Sequence, residues 1–216
     1  MRKRAKEQIP LMKTVRSLTS GDMPPLLDDD IHLWKLSLNE SPAPLTHLLS
    51  GDERQRAESF KLAIHRTRFI NRRALMRQSL GRYTGQSPEK LHFLTNPHGK
   101  PFLCDGPSFN LSHSDDIALL AVRAAGALGV DVERIRPMDN DNLSDVARMH
   151  FNEAELRDWS SADDSLLAFF DIWTGKEAIL KAMGTGLSVP AQSVSAEEWA
   201  IQRVDFEGYR AAVVWC

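Results

Sequence analysis

Three acidic residues of the 216-residue chain have the types and the spacing of a site for a hard cation. Asp131 and Glu133 alternate with valine in the stretch GVDVER, and Glu177 follows further along in WTGKEAILK. In a strand, residues two apart share a face and lie about 6.6 Å apart, so both carboxylates can reach one cation. Because Mg²⁺ prefers carboxylate, water and phosphate oxygens, the three residues indicate a magnesium site that also takes a phosphate.

Simpler interpretations exist for the same residues. Charged side chains usually decorate solvated faces, so Asp131 and Glu133 could lie on an exposed strand face. Glu177 and Lys181 stand four residues apart and could form a helical ion pair worth only about 0.2–0.5 kcal/mol. The functional interpretation makes Glu177 the third ligand, because Trp173, Glu177 and Lys181 form one helical stripe and a carboxylate between bulky residues needs a partner.

The elements that position these carboxylates follow from hydrophobic periodicity. Val130 and Val132 point one way along the strand and face the core, which leaves Asp131 and Glu133 on the opposite face. Apolar residues at three- and four-residue steps predict a helix from about Ser165 to Met183. This helix carries the third carboxylate.

The first half of the chain supplies a cationic helix. Residues 1–30 mix basic residues with a Pro, Gly and Asp-rich stretch, which indicates a mobile extension. A strand is expected from Ile31, and a helical region, broken once, from about Asp52 to Tyr83. The faces away from its apolar stripe carry cations, namely Arg54, Arg56, Lys61, Arg66, Arg68, Arg72, Arg73, Arg77 and Arg82.

Short strands separated by proline and glycine turns follow this helical region. Ile117 to Val122 and Ala127 to Ile135 are interpreted as an antiparallel pair joined by residues 125–126. Two further strands are expected within residues 198–204 and 209–215. Helices and antiparallel strands are mixed without the regular alternation of a parallel sheet, which indicates an α+β fold.

Composition narrows the class of protein. The chain has 27 Lys and Arg against 29 Asp and Glu, so no global field attracts a polyanion. The arginine-rich helix also lacks the interleaved aromatic residues of a nucleic-acid surface. Two cysteines give neither a disulfide framework nor a CxxC metal spacing, and no apolar run is long enough to cross a bilayer. We therefore expect a cytoplasmic protein without nucleic-acid or membrane partners.

Ser112, His113 and Asp115 superficially suggest a nucleophile triad. Adjacent residues of one strand point to opposite faces, so Ser112 and His113 cannot form that relay. The remaining histidines show no HxxxH spacing, which argues against a histidine metal site.

Four short stretches occur in a fixed order: a GKP turn, FNLSHS, GVDVE and WTGKEAILK. With this set, the chain resembles the surfactin-synthetase-type 4'-phosphopantetheinyl transferases from about residue 31 to the C-terminus. The resemblance implies an α+β monomer of two similar halves, residues 31–125 and 126–216, related by a pseudo-two-fold. Each half would be a small antiparallel sheet packed on a long helix, with coenzyme A bound in the cleft between them. The implied reaction moves the 4'-phosphopantetheinyl group from coenzyme A to a serine of an apo acyl or peptidyl carrier protein and releases adenosine 3',5'-bisphosphate.

The resemblance also implies roles for individual residues. Asp131, Glu133 and Glu177 would hold Mg²⁺. Glu177, or a water that it orients, would be the base for the carrier serine, and Lys181 would reach the pyrophosphate as the second catalytic residue. The other implied coenzyme A contacts are Arg56 and Arg66 at the 3'-phosphate, Gly99, Lys100 and Pro101 on the adenine side, and Ser112 and His113 at the phosphates.

One departure from the family pattern is visible. Where relatives often carry a lysine before the first helix, this chain has Glu53, so Arg54 or Arg56 would have to replace that cation at the 3'-phosphate. Several apolar residues after the metal strand could contact the carrier protein or pack internally: Met138, Leu143, Met149 and Phe151.

Two rival functions use the same residues. A metal-dependent phosphohydrolase would need the three carboxylates but no carrier protein. A non-catalytic module could bind coenzyme A or a carrier protein, although the presence of Lys176, Glu177 and Lys181 together argues against it.

Overall fold

The computed structural model describes residues 15–18, 25–28 and 30–216. Within these residues the chain forms nine strands and five α-helices. In chain order they are β1 (Val15–Leu18), β2 (Ile31–Ser37), α1 (Gly51–Glu58), α2 (Ala63–Thr84), β3 (Leu94–Thr95), β4 (Pro101–Phe102), β5 (Ser108–Ser114), β6 (Ile117–Arg123), β7 (Leu128–Arg134), α3 (Asn140–His150), α4 (Glu153–Ser160), α5 (Ser165–Met183), β8 (Ala200–Phe206) and β9 (Tyr209–Trp215).

The strands form two main sheets. The first has the order β1-β2-β6-β5 and is antiparallel except that β1 runs parallel to β2. The second has the order β7-β9-β8 and is antiparallel throughout. β3 and β4 form a separate hairpin of two residues a side. The expected mixed α+β class is confirmed.

The alternation of side chains along the strands gives each sheet two apolar faces. The faces that meet between the sheets bury residues of β2, β6, β7 and β9, among them Ile31, Leu33, Leu119, Val130, Val132 and Val213. The outer face of the first sheet packs on α2 through residues that include Trp34, Leu120, Met76 and Leu80. The outer face of the second sheet packs on α5 through residues that include Ala212, Val214, Ala178 and Ile179. The layers are therefore α2, first sheet, second sheet and α5.

The helices begin and end where local chemistry requires. The Asp164 side chain accepts a hydrogen bond from the Leu167 N–H at 2.9 Å and caps α5, and Gly184, with φ of 69°, ends it. This helix has the bounds expected from periodicity. The expected break in the cationic region is confirmed between α1 and α2. None of the described helices is long and apolar enough to cross a membrane.

The expected antiparallel pairing of β6 with β7 is wrong. β6 pairs with β2 on one edge and β5 on the other, whereas β7 pairs with β9. Both edges of β6 are thus taken, and the chain crosses from the first sheet to the second at residues 124–127. This crossing lies at the boundary expected between residues 31–125 and 126–216, but the division into two halves stays a prediction.

The expected N-terminal extension differs from the structure in one segment. Val15–Leu18 forms β1 beside β2, and Leu18 is buried in the core between the first sheet and α2. This segment is therefore part of a sheet. Most of the remaining residues from 1 to 30 lie outside the described ranges.

The approach of α5 to β7 depends on Gly129. A Cβ atom added there would lie 1.9 Å from the Ala178 carbonyl oxygen and 2.6 Å from the Ala182 nitrogen. Both contacts are to helix backbone, which cannot move aside as a flexible side chain would. The glycine therefore fixes how closely the helix can rest on the strand that carries Asp131.

We expect Gly129→Ala to destabilise the fold by about 3 kcal/mol or more, because the new methyl group must push α5 away from the second sheet. Urea unfolding followed by circular dichroism measures the change. Gly51→Ala is the matched control, since a Cβ at Gly51 meets nothing within 4 Å. A Gly129→Ala protein as stable as Gly51→Ala would contradict the close approach.

Candidate active site

Side-chain hydrogen bonds connect the edge strands β5 and β7 of the two sheets. The Asn110 Oδ1 accepts from the Val130 N–H at 2.8 Å. The Ser114 hydroxyl donates to Glu133 Oε2 at 2.9 Å and accepts from the Arg134 N–H at 3.1 Å. These bonds advance in step along both strands, so the strands run in the same direction. They align the polar residues of β5 with the carboxylates of β7.

Asp131 lies at the centre of this junction and is 2 % exposed. Its Oδ1 accepts hydrogen bonds from Ser112 Oγ at 2.7 Å and from Lys181 Nζ at 2.5 Å. Lys181 Nζ also donates to Ser112 Oγ at 2.9 Å, which closes a triangle of three polar groups. The Asp131 Oδ2 is buried and makes no hydrogen bond among the described residues. The simpler interpretation, in which Asp131 decorates a solvated face, is wrong, because that face is covered by α5.

Glu133 and Glu177 share the electrostatic field of Asp131. Burial, the Asp131 charge and the Glu177 charge raise the pKa of Glu133, against the Ser114 hydrogen bond and the Lys181 charge. Burial and the Asp131 charge likewise raise the pKa of Glu177. The structure thus brings the three carboxylates near one another around a single lysine. Such a cluster is stabilised by added positive charge.

The donor set fits a hard divalent cation. The unpaired, buried Asp131 Oδ2 is an oxygen available to a metal, and a dication would offset the charge that raises the pKa values of Glu133 and Glu177. Among residues 15–18, 25–28 and 30–216, no three Asp, Glu, His or Cys side chains already form a cage that could hold an ion. The metal roles of Asp131, Glu133 and Glu177 therefore stay predictions.

The two lysines of α5 have different partners. Lys176 is 3 % exposed, and its ammonium group contacts both carboxylate oxygens of Glu155, at 2.7 and 2.9 Å, and the Val194 carbonyl. It therefore joins α5 to α4. Lys181 forms an ion pair with Asp131 of β7. The simpler interpretation required a pair between Lys181 and Glu177, one turn earlier, and the described residues do not form that pair. Of these two lysines, Lys181 is the one that contacts Asp131.

The GKP turn is anchored on the end of α5. Lys100 Nζ donates to the carbonyl oxygens of Leu128 at 2.9 Å and Ala182 at 3.1 Å, and burial lowers its pKa. Asn96 Nδ2 donates to the Gly184 carbonyl at 2.7 Å. The Lys100 ammonium group is thus used to hold the turn on the protein, whereas its coenzyme A contact stays a prediction.

A cavity of about 310 Å³ lies between this turn and the carboxylate cluster. Residues of the GKP turn and residues of α5 line it together. Its lining includes Gly99, Lys100, Pro101, Asn110, Glu177, Leu180 and Lys181.

His113 faces a second cavity, of about 260 Å³. The Arg72 guanidinium group hydrogen-bonds to its Nε2. Partial desolvation of the ring, followed by the charges of Arg72 and Lys181, lowers the pKa of His113 to about 4, although the residue keeps some surface exposure. His113 is therefore neutral at pH 7, and the cavity carries the charges of Arg68 and Arg72. Ser112 and His113 point to different sides of β5, so the expectation that they cannot form a nucleophile triad is confirmed.

Arg56 and Arg66 gather around Phe60, which also lines this second cavity. The Arg56 guanidinium group lies 5.2 Å from the Phe60 ring centroid, and Arg66 Nη2 donates to the Phe60 carbonyl at 3.2 Å. The two expected phosphate contacts therefore both contact Phe60, a residue of the cavity that His113 faces. Their roles stay predictions.

Sequence reasoning missed several residues that shape the site: Asn96, Asn110, Arg72 and Ser114. Asn110, Ser112 and Ser114 form a period of two in SFNLSHS, the same period that singled out Asp131 and Glu133. That pattern predicts a polar strand face and could have identified Asn110 and Ser114. Arg72 gave no such signal, because it is one of many arginines on α2.

Glu53, where the family pattern has a lysine, is a structural residue. It forms a capping box with Ser50 and ion pairs with Arg73 and with Arg77, whose Nε lies 2.7 Å from Glu53 Oε2. Burial opposes ionisation, but the Arg77 hydrogen bond and the Arg73 charge outweigh it and hold the pKa of Glu53 below its usual value. Arg54 donates to the Leu49 carbonyl, so Arg56 is the better placed of the two substitutes.

The apolar residues after the metal strand divide into two groups. Leu143 and Phe151 are buried in a core cluster with Phe169 and Phe170, and Met138 packs against that cluster while partly buried, which supports internal packing. Met149 is 68 % exposed.

Comparisons with known proteins found similarity to 4'-phosphopantetheinyl transferases. The model of the 4'-phosphopantetheinyl transferase superfamily matches residues 127–216. The 4'-phosphopantetheinyl transferase HetI of Nostoc sp. (strain PCC 7120) is 39 % identical over 173 residues, which cover 76 % of this chain and 72 % of HetI. The 4'-phosphopantetheinyl transferase psf-1 of Bacillus pumilus is 34 % identical over 70 % of this chain and 65 % of its own. The 4'-phosphopantetheinyl transferase Sfp of Bacillus subtilis (strain 168) is 29 % identical over 68 % of this chain and 65 % of its own.

We expect Glu53→Gln to destabilise the protein by about 3 kcal/mol at pH 7, because it leaves two arginines without their buried counterion. The folded-state pKa of Glu53 lies below its ordinary value of 4.5, so its stabilisation is complete above that pH and is lost as the pH falls through the lower value. The difference between wild type and variant should therefore shrink between pH 7 and about pH 3.5.

Urea unfolding at the two pH values measures this difference. The control is Glu58→Gln, an exposed glutamate of the same helix, which should change stability little at either pH. A pH-independent loss in Glu53→Gln would refute the electrostatic role.

Proposed function

The chain belongs to the 4'-phosphopantetheinyl transferase superfamily and transfers phosphopantetheine to carrier proteins, and we propose that it does so in a Mg²⁺-dependent reaction. In this proposal, coenzyme A donates the 4'-phosphopantetheinyl group to a serine of an apo acyl or peptidyl carrier protein, and adenosine 3',5'-bisphosphate leaves. The supporting observation is the triangle that Lys181 forms with the buried Asp131 and Ser112. Lys181 also lines the cavity shared by Glu177 and the GKP turn.

Asp131, Glu133 and Glu177 would hold the metal ion. When bound, Mg²⁺ supplies charge neutralisation at the pyrophosphate, which is the main requirement for attack on an anionic phosphorus. Lys181 lines the same cavity and would neutralise the same oxygens from the protein side. This lysine lies 30 % exposed, within reach of a ligand in the cavity.

Glu177 would accept the proton of the carrier serine, directly or through a water that it orients. Its raised pKa suits this role, because a general base works best when its pKa lies nearer the working pH. The carboxylate lines the cavity from α5, next to the lysine one turn later. Proton removal and charge neutralisation would therefore come from one face of one helix.

The remaining contacts would hold the two ends of coenzyme A. Gly99, Lys100 and Pro101 would lie against the adenine side of the cavity. Ser112 and His113 would contact phosphates from opposite sides of β5, and Arg56 and Arg66 would bind the 3'-phosphate. The neutral His113 ring and the charged Arg72 beside it give this second cavity the polarity that a phosphate needs.

Further features of the proposal follow from the layered fold. The first sheet with α2 and the second sheet with α5 would be the two pseudo-two-fold halves, with coenzyme A in the cleft between them.

We propose that the protein is a cytoplasmic monomer. It would have no nucleic-acid or membrane partners, because a nearly neutral chain has no overall field that attracts polyanions. The exposed cations around the cleft would suit an acidic carrier protein, and Met149 would offer an apolar contact.

We expect incubation with coenzyme A, Mg²⁺ and an apo carrier protein to add one phosphopantetheinyl group to the carrier. Intact-mass spectrometry of the carrier measures the adduct, and a carrier whose acceptor serine is replaced by alanine is the control. A phosphohydrolase would consume coenzyme A and leave the carrier unchanged. A binding module would leave both unchanged, and no adduct on any of several carriers would defeat the proposal.

Glu177→Gln should lower kcat by at least about a hundredfold, because it removes the base and one metal ligand. Asp131→Ala should act mainly on the metal and raise the Mg²⁺ concentration needed for half-maximal rate. Steady-state rates of carrier modification across a Mg²⁺ titration measure both effects, with the exposed Glu153→Gln as control. A fully active Glu177→Gln enzyme would overturn the assignment of the base.

A further inference from the structure

Lys181 holds the position beside Asp131 that a cation would be expected to take. Its Nζ lies 2.5 Å from Asp131 Oδ1 and 2.9 Å from Ser112 Oγ, so one oxygen of the buried carboxylate already has a positive partner. The other hydrogen-bond partner of the same oxygen is the Ser112 hydroxyl. The lysine is thus the cation that neutralises Asp131 within the protein.

An ammonium group at this distance opposes a second cation. Two like charges about 4 Å apart repel each other strongly in the partly buried surroundings of a protein, and a divalent ion doubles the repulsion. A metal that approaches Asp131 must therefore either tolerate Lys181 or displace it. The unpaired Asp131 Oδ2 attracts the metal, whereas the ammonium group on Oδ1 repels it.

The lysine is free to move in a way that its neighbour on the helix is not. Lys181 is 30 % exposed on a flexible four-carbon stem and lines the 310 Å³ cavity, so an anion in that cavity offers it another partner. Lys176, by contrast, is 3 % exposed and fixed by Glu155 and the Val194 carbonyl. The cavity and the carboxylate are therefore alternative positions for one ammonium group.

We propose that Lys181 is a built-in counterion that competes with the divalent metal for Asp131, so that tight metal binding requires an anionic ligand in the cavity to draw the lysine away. This inference rests on the proposed function, because it takes Asp131, Glu133 and Glu177 as the metal site. This competition makes the binding of the metal and of the donor pyrophosphate cooperative. Little metal therefore binds before the donor does. A charged lysine then neutralises the carboxylate in one state and the substrate phosphate in the other.

Mn²⁺ binding to the full chain, measured by electron paramagnetic resonance without coenzyme A, tests the competition. Lys181→Gln should bind Mn²⁺ at least about tenfold more tightly than wild type, which corresponds to about 1.4 kcal/mol. Lys181→Arg keeps the charge and should show no gain. Lys90→Gln removes a charge from an exposed site and is the matched control for net charge.

Thermal unfolding gives a second readout, which serves if Lys181→Gln is poorly folded without metal. Saturating Mn²⁺ should raise the melting temperature of Lys181→Gln more than that of wild type, because a ligand stabilises the state that it binds. Replacing Asp131 by alanine in the Lys181→Gln protein should remove the gain in both assays.

The outcomes separate this inference from the proposed function. Equal Mn²⁺ affinity in wild type and Lys181→Gln, with Asp131→Ala weaker than both, would overturn the competition and leave the metal site standing. A tenfold gain in Lys181→Arg would also overturn the competition, because charge would then not be the cause. No Mn²⁺ binding by wild type or Lys181→Gln would overturn both the metal site and the competition.

Discussion

A single buried charge, the carboxylate of Asp131, constrains the rest of the structure. An ion removed from water costs several kcal/mol unless a partner of opposite charge and hydrogen bonds replace the solvent. Here the partner comes from α5 as Lys181 and the hydrogen bond from β5 as Ser112. One residue of β7 therefore requires three elements to meet at one point, and the relative placement of the two sheets and the helix follows from that requirement.

The surrounding packing makes this meeting possible. Gly129, two residues before Asp131, lets the backbone of α5 rest directly on β7, which brings the last turn of the helix within reach of the strand carboxylates. At the edge of β7 that does not pair with β9, side chains of β5 form hydrogen bonds to β7 in place of a backbone ladder. The polar junction is thus held from both sides by apolar layers, where hydrogen bonds are stronger than in water.

Local periodicity accounts for the part of the site that the sequence could predict. The period of two in GVDVER separated Val130 and Val132 from Asp131 and Glu133, and the helical period gave the bounds of α5. The partner of each polar group was beyond reach, because it depends on tertiary contacts. Lys181 has Glu177 at helical spacing yet pairs with Asp131, and β6 precedes β7 yet pairs with strands distant in sequence. For the same reason, the anchoring of the GKP turn by Lys100 and the structural role of Glu53 could not be predicted, because both depend on tertiary contacts.

The two faces of β5 explain how one edge strand can serve a ligand with widely spaced anionic groups. Ser112 points towards Asp131 and Lys181, whereas His113 points towards Arg72 and the second cavity. Because adjacent residues of a strand lie on opposite faces, a dipeptide can present polar groups to both sides without any change in backbone. A donor with a pyrophosphate near the carboxylates and a further phosphate beside the arginines of α2 could be held on both sides of this strand. The strand that joins the two sheets would then also fix the distance between the two phosphate sites.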